Sequence, residues 1–342
     1  MSKGPILDGV NVESHCLITK NFYNNIFFMK KAFLVVLAIV IPVFMLRQCG
    51  GVPSSNLPTA TTDQGWRNLE QVSILGYTGA AQDPQVTPDG KYLIFDSHND
   101  AGEPSYLYWA KSTGYKTFQF MGKIDGVNLG KEQVRGNADR AGNFYFASTG
   151  YVAQHGGARI GHGVFKDGSV TNVAPITSIA DPNLRPGYFL LDGMIKPDGT
   201  MLYYDVFQYT PGVGLQAHIR IARKNADGTF TKLPNSEDLM KNVNAVGTVY
   251  GAQPSDDGLS LYFTVGNLVP PGCKIFFVTR SSITEPFETP QLVKGVNDSY
   301  TYQGRSSPNC NEGGSLSPDG KHLYFHRVLD KGHSQIYVVT RP

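Results

Sequence analysis

Apolar, aromatic-rich runs alternate with polar turns from residue 83 to the C-terminal end, and their order repeats. The unit is clearest in "VTPDGKYLIFDSHN" from Val86, "IKPDGTMLYYDVFQ" from Ile195, "PSDDGLSLYFTVGN" from Pro254 and "SLSPDGKHLYFHRV" from Ser315. A degenerate copy, "NADRAGNFYFASTG", starts at Asn137. In each, a short strand enters a tight turn and an aromatic strand leaves it. Proline presets φ at the second turn position, Asp can bond the local backbone, and Gly closes the turn without a Cβ clash. The turn glycines Gly90, Gly142, Gly199, Gly258 and Gly320 stand about 50–60 residues apart, the length of a four-stranded propeller blade with its loops.

Each copy extends to a third strand, as in "SYLYWAK" (105–111), "ARIGHGVF" (158–165), "AHIRIARK" (217–224), "KIFFVTR" (274–280) and "QIYVVTR" (335–341). Fourth strands follow in four units: "KTFQFMGKI" (116–124), "SVTNVAPI" (169–176), "TFTKLP" (229–234) and "FETPQLV" (287–293). The last unit runs out after its third strand. "WRNLEQVSIL" (66–75) resembles the missing strand and is expected to complete that blade and close the ring, removing the exposed sheet edges of an open array. The pattern predicts an all-β fold: a five-bladed β-propeller over 66–342, closed by an N-terminal strand.

Pro88-Asp89-Gly90, Pro197-Asp198-Gly199 and Pro318-Asp319-Gly320, followed by "YLIF", "LYY" or "LYF", resemble the WD40-like repeats of TolB-type propellers of exported bacterial proteins. The resemblance covers most of 83–342 through its turn motifs. It implies architecture and a cell-envelope setting, and hardly constrains activity, because propellers host many functions.

The N-terminal part has a different pattern. Lys30 and Lys31 precede a fifteen-residue apolar run, "AFLVVLAIVIPVFML", followed by Arg47, Gln48, Cys49 and two glycines. A basic start, a short apolar core and a small-residue exit read as a bacterial export signal within 1–49. Met29 then stands where such a signal would start, while a start at Met1 would make the run a signal anchor. Cys49 occupies the position of a lipidated cysteine, although Arg47 and Gln48 depart from a lipobox. The expected location is the periplasm, or the outer membrane as a lipoprotein, with the membrane met through a lipid or signal anchor. Residues 50–65, "GGVPSSNLPTATTDQG", read as a flexible tether.

Composition narrows the function classes. A net charge of +2 with 17% charged residues gives no basic footprint for nucleic acid. No phosphate-binding glycine loop, G-x-S-x-G elbow or zinc spacing occurs, so neither cofactor nor metal is expected. The long loops join second to third and fourth to first strands and share one face, where a protein or glycan ligand is expected at the axis. Asp83, Asp192 and Glu312 are candidate catalytic carboxylates there, since glycoside hydrolysis needs a facing acid and base or nucleophile. Propellers of the arabinanase type place carboxylates similarly, a likeness of geometry alone. Gln85, Glu132, Arg135, Gln253, Tyr300, Tyr302 and Arg305 are candidate ligand-binding residues, with Tyr209 as a further stacking platform. The other reading of these carboxylates is pairing with Arg135 and Arg305. His98, His155, His162, His218, His326 and His333 read as solvated loop residues. A binding or scaffold role and a carbohydrate-active enzyme are thus the two function classes left open. Cys273 and Cys310 fall in loops of adjacent blades on one face and are expected to form a disulfide, which export would preserve.

Overall fold

The computed structural model describes residues 52–53, 57–58, 61–62, 64–97, 104–128, 132–148, 159–179, 188–210, 214–266, 268–269, 272–298, 301–302, 305–306, 310–330 and 333–342. Five antiparallel sheets form the blades. Blade one holds Gln82–Val86, Tyr92–Asp96, Leu107–Gly114 and Thr117–Lys123. Blade two holds Gln133–Ala138, Asn143–Ser148, Ile160–Lys166 and Ser169–Pro175. Blade three holds Tyr188–Ile195, Met201–Thr210, Gly214–Lys224 and Phe230–Lys232. Blade four holds Thr248–Pro254, Ser260–Gly266, Lys274–Thr279 and Gln291–Val293. Blade five takes Cys310–Leu316, His322–Asp330 and His333–Thr340 from the C-terminal end and Arg67–Gln71 as its outer strand.

Alternation along the aromatic strands explains why neither face can stay bare. Leu93 and Phe95 face blade five, where Tyr324, Ile336 and Val338 meet them, while Ile94 faces Phe144 and Phe146 of blade two. Tyr145 and Ile160 likewise pack on Leu202 and Tyr204, Met194 and Tyr203 on Leu261 and Phe263, and Tyr262 and Ile275 on Leu323 and Phe325. Each blade thus needs its neighbour to bury both faces.

All five turns close the same way. Gly90, Gly142, Gly199, Gly258 and Gly320 each donate their N–H three residues back, to Thr87, Asp139, Lys196, Ser255 and Ser317. In the degenerate blade-two copy, Asp139 also accepts from the N–H groups of Ala141 and Asn143, so an earlier aspartate does the work of the missing one.

The N-terminal strand departs from expectation in two places. Residues 66–75 do not form one strand: Arg67–Gln71 pairs with blade five, and Ser73–Leu75 runs parallel to Thr117–Lys123 of blade one. The switch falls at Val72, whose N–H donates to Ile336 while that of Ser73 donates to Lys116 across the blade boundary. The 50–65 stretch, expected as a flexible tether, carries packed residues. Val52–Pro53 pairs with Leu268–Val269, Thr61–Thr62 adds a parallel outer strand to blade four, and Leu57 is buried in the core between blades three and four. Backbone pairing holds these two short segments despite their low apolar content. Residues 1–49, with Cys49 and the apolar run, lie outside the described residues. Among the described residues no helix is long and apolar enough to cross a membrane.

Candidate functional site

The first strand of every blade lines the axis, and every one is interrupted by a β-bulge at the same place. Register against the second strand shifts beside Asp83, Arg135, Asp192, Gly251 and Gly313. These five residues share a left-handed φ of 46°, 53°, 50°, 66° and 71°. Such a conformation costs a non-glycine residue of order 1–3 kcal/mol and persists only where its surroundings enforce it. Here the bulge aims three charged side chains at the axis and leaves two glycines opposite them. A Cβ on Gly251 would lie 2.6 Å from Arg135 Nη1, and one on Gly313 would lie 2.8 Å from Asp83 Oδ1. The two glycines are the space that the charged residues occupy.

Arg135 fills that space as a bridge. Its Nη2 lies 2.9 Å from Asp83 and its Nε lies 2.9 Å from Asp192, with all three side chains about 95% buried. The polar residue that follows the aromatic run in the second strand of one blade then holds the bulge of the next. Asp96 accepts the N–H of Arg135, Asp205 accepts that of Gly251, and His326 Nδ1 accepts that of Asp83. Accepting at Nδ1 requires the neutral imidazole with its proton on Nε2. His326 is therefore a buried strand residue, contrary to the expectation of a solvated loop histidine, and burial pushes its pKa down to about 4. Glu312, whose backbone pairs with that of His326, adds a fifth buried carboxyl.

Asp83, Asp96, Asp192, Asp205 and Glu312 thus surround one guanidinium and a neutral imidazole. Full ionisation would leave excess negative charge in a dry interior, which is prohibitive, so protons must make up the difference. Burial raises Asp192 to about 6 and Glu312 to about 7, with Asp83 adding repulsion to both. Burial, followed by repulsion from Asp83, holds Asp96 well above the usual carboxylate range; burial and Asp192 do the same for Asp205. The Asp192 and Asp205 carboxyls also act on each other, Asp205 lowering Asp192 and Asp192 raising Asp205.

This arrangement predicts an acid-shifted stability optimum. Carboxyls whose folded pKa is raised stabilise fully below their unfolded values near 4, and that stability is lost as pH rises through 6 to 7. His326 acts oppositely: its contribution is complete above its unfolded value of 6.5 and is lost as pH falls through about 4. Four raised carboxyls outweigh one histidine, so thermal melts should show a higher Tm near pH 5 than at about pH 8. A Tm that climbs steadily toward pH 8 would contradict the protonated axis.

The axis opens on the turn face. A cavity of about 400 Å³ is ringed by residues of all five turns, among them Pro88, Arg140, Pro197, Asp256 and Pro318, and floored by Val86, Ile94, Met194 and Leu316. Gln85 and Gln253 line it, and the Gln253 Oε1 is buried without a hydrogen-bond partner among the described residues. Both were expected at the opposite, long-loop mouth. First strands run from the long loops toward the turns, so a residue two positions past the Asp83 bulge sits about 7 Å further along the axis. Glu132 is half-buried at the start of blade two, where burial raises its pKa against the opposing pull of Arg159. Tyr300, His98 and His155 lie outside the described residues, as do the side chains of Tyr209, Tyr302 and Arg305. The backbones of Tyr302 and Arg305 pair in a short ladder. His218 and His333 are exposed and His162 is partly buried.

The expected disulfide joins Cys273 and Cys310, with Cα atoms 4.1 Å apart across 37 positions. Among the described residues, Cys273, Cys310 and Glu312 are the one group whose ligand atoms converge within 4.8 Å as a metal site would require. With both sulfurs in the disulfide, no thiolate is available to a metal there.

The residues missed by sequence reasoning are Asp96, Asp205 and the buried role of His326. A signal existed: "YLIFD", "LYYD", "LYFT" and "LYFH" all place a polar residue directly after the aromatic run.

Fold and axis define a five-bladed β-propeller whose centre is a buried charge network. No protein-family model matches the chain, and no curated protein matches it in sequence. Among solved structures it is similar to sucrose-6-phosphate hydrolase from Lactobacillus gasseri, at 12% identity and TM-score 0.49, covering 82% of this chain and 62% of that one. It is similar to TolB from Acinetobacter baumannii at 13% identity and TM-score 0.36, covering 77% and 55%. An endo-arabinase from Bacteroides thetaiotaomicron aligns at 12% identity and TM-score 0.46, covering 80% and 97%. The chain spans less than two thirds of the first two proteins.

Proposed function

We propose that this protein is an exported, cell-envelope binding propeller that takes an uncharged, hydrogen-bonding ligand, a glycan chain, in the funnel on its turn face. The observation that carries this reading is the division of the axis into two ends. At one end the carboxylates are committed to Arg135 and closed from solvent. At the other, the amides of Gln85 and Gln253 line an open cavity with an apolar floor. Amides both donate and accept, which suits hydroxyl groups, and the apolar floor suits the C–H faces of a sugar. The nearby Arg140 is neutralised by Asp256 at 2.6 Å, and the rim carboxylates of Asp257 and Asp319 accept from the hydroxyls of Ser255 and Ser317. Export rests on the basic and apolar N-terminal pattern, with anchoring through Cys49 or a retained signal anchor.

Hydrolysis is the second reading, favoured by one observation: Asp192 and Glu312 are raised into the range of a general acid. Against it, Arg135 occupies the space between Asp83 and Asp192 that a sugar would need.

Glycan-array screening followed by calorimetric titration tests the proposal. Gln253→Ala or Gln85→Ala should weaken the selected glycan about tenfold, the loss of one or two hydrogen bonds. Asp192→Asn should leave affinity unchanged. Turnover of a polysaccharide that Asp192→Asn abolishes would establish the hydrolase instead, and the absence of any glycan bound would end the glycan reading.

A further inference from the structure

The Cys273–Cys310 bridge has an unusual neighbour. Glu312 Oε1 lies 2.8 Å from Cys273 Sγ and 2.7 Å from Cys310 Sγ, and all three residues are 6% exposed. Disulfide sulfurs carry no hydrogen, so at this distance only the carboxyl can donate. An ionised carboxylate would instead face sulfur lone pairs in a dry site. The Glu312 proton therefore sits where a thiolate would need it.

We propose that Cys273–Cys310 is a dithiol-reducible pair for which Glu312 is the resident proton donor. Reduction of a buried disulfide is ordinarily opposed by the cost of expelling a thiolate into an apolar environment. Here the thiolate of an external dithiol attacks Cys273 Sγ and the S–S bond breaks. The electron pair leaves on Cys310 Sγ, which takes the Glu312 proton across 2.7 Å. The second thiol of the reductant then attacks its own sulfur in the mixed disulfide, releasing Cys273. Protons given up by the two reductant thiols restore Glu312 and protonate Cys273. The dithiol ends as a disulfide and the pair as two thiols. The partner class is accordingly a dithiol reductant, a role separate from ligand binding in the funnel and independent of it.

The surroundings support a donor that is charged with a proton near neutrality. Glu312 is faced by Asp83, Asp192, Arg135 and Tyr250, and by the backbone partner His326. Burial and Asp83 raise its pKa to about 7, with Arg135 and the Tyr250 hydroxyl pulling the other way. Loss of the Glu312 proton would add an anion beside the Asp83–Arg135–Asp192 bridge, so the redox state of the pair is linked to the axial charge network.

The test is reduction of the purified, folded protein by dithiothreitol, followed by thiol trapping and mass spectrometry between about pH 6 and 9. In the parent, the rate corrected for reductant thiolate should fall as pH rises through about 7. Glu312→Gln preserves shape but has no transferable proton. It should react at least about tenfold more slowly at pH 6 and lose the break, the low end of what a positioned proton donor contributes. Should Glu312→Gln fail to fold, Tyr250→Phe removes the hydroxyl that lowers Glu312 and should move the break to higher pH. A parent disulfide inert to dithiothreitol in the native state, or a profile unchanged by the folded variant, overturns the proposal.

Discussion

Deleting Trp66–Leu75 is expected to abolish cooperative unfolding of the propeller or lower its Tm by more than about 10 °C. The deletion strips the outer strand from blade five and leaves His333–Thr340 as a bare edge. It also removes Trp66, 1% exposed and packed among Tyr262, Val293, Leu323 and Phe325, with the Arg341 guanidinium 4.6 Å from its ring centre. Truncating a buried tryptophan to alanine alone costs about 3–5 kcal/mol, against a total stability of about 5–15 kcal/mol. Val72, in the core between blades five and one, and the parallel strand Ser73–Leu75 are lost as well. Because the segment touches both sides of the ring closure, its removal weakens two interfaces together. Calorimetry of the deleted protein, with Trp66→Ala as the smaller step, measures this. A Tm equal to the parent's would mean that the ring does not depend on its N-terminal strand.

Arg135→Met should destabilise the protein by about 3–5 kcal/mol, the usual result of removing one partner from a buried ion pair. Methionine keeps much of the side-chain length but leaves Asp83 and Asp192 without the cation each contacts at 2.9 Å. The penalty should depend on pH. Near pH 5 the carboxyls of Asp192 and Glu312 are already protonated, so less uncompensated charge remains; at about pH 8 they must ionise or hold protons at increasing cost. Denaturant melts of parent and variant at both pH values should therefore give a larger difference at the higher one. Adding Asp83→Asn and Asp192→Asn to Arg135→Met should recover part of the loss, as a coupled network requires. Equal losses at both pH values, with no recovery, would mean that Arg135 matters for packing rather than charge.

What was legible in the sequence is what local chemistry decides. The Pro-Asp-Gly turns could be read because proline, aspartate and glycine each impose their own backbone preference within four residues. The degenerate blade-two copy could be counted because Asp139 and Gly142 keep the two essential turn contacts. The aromatic strands called for radial stacking because both of their faces are apolar. The Cys273–Cys310 pairing followed from assigning both loops to one face of adjacent blades. The convergence of Asp83, Arg135, Asp192 and Glu312 on the axis was readable for the same reason: equivalent positions of a closed repeat meet at its centre.

What those residues do there was decided only by the tertiary structure. The sequence shows Asp96, Asp205 and His326 in equivalent places, but each holds the bulge of the next blade, a contact that exists only once blades stand side by side. Asp83 and His326 are separated by 243 positions and meet because the ring closes. The break of 66–75 at Val72 has the same origin, since the preference for blade five or blade one depends on which open edge lies within reach. The placement of the open cavity at the turn face, with Gln85 and Gln253, also required three dimensions. Arg135 plugs the axis beyond it, and that plug depends on Gly251 and Gly313 lacking Cβ atoms on strands far away in the chain. Turn chemistry acts over a few residues and can be read in one dimension; charge compensation and steric exclusion act through space.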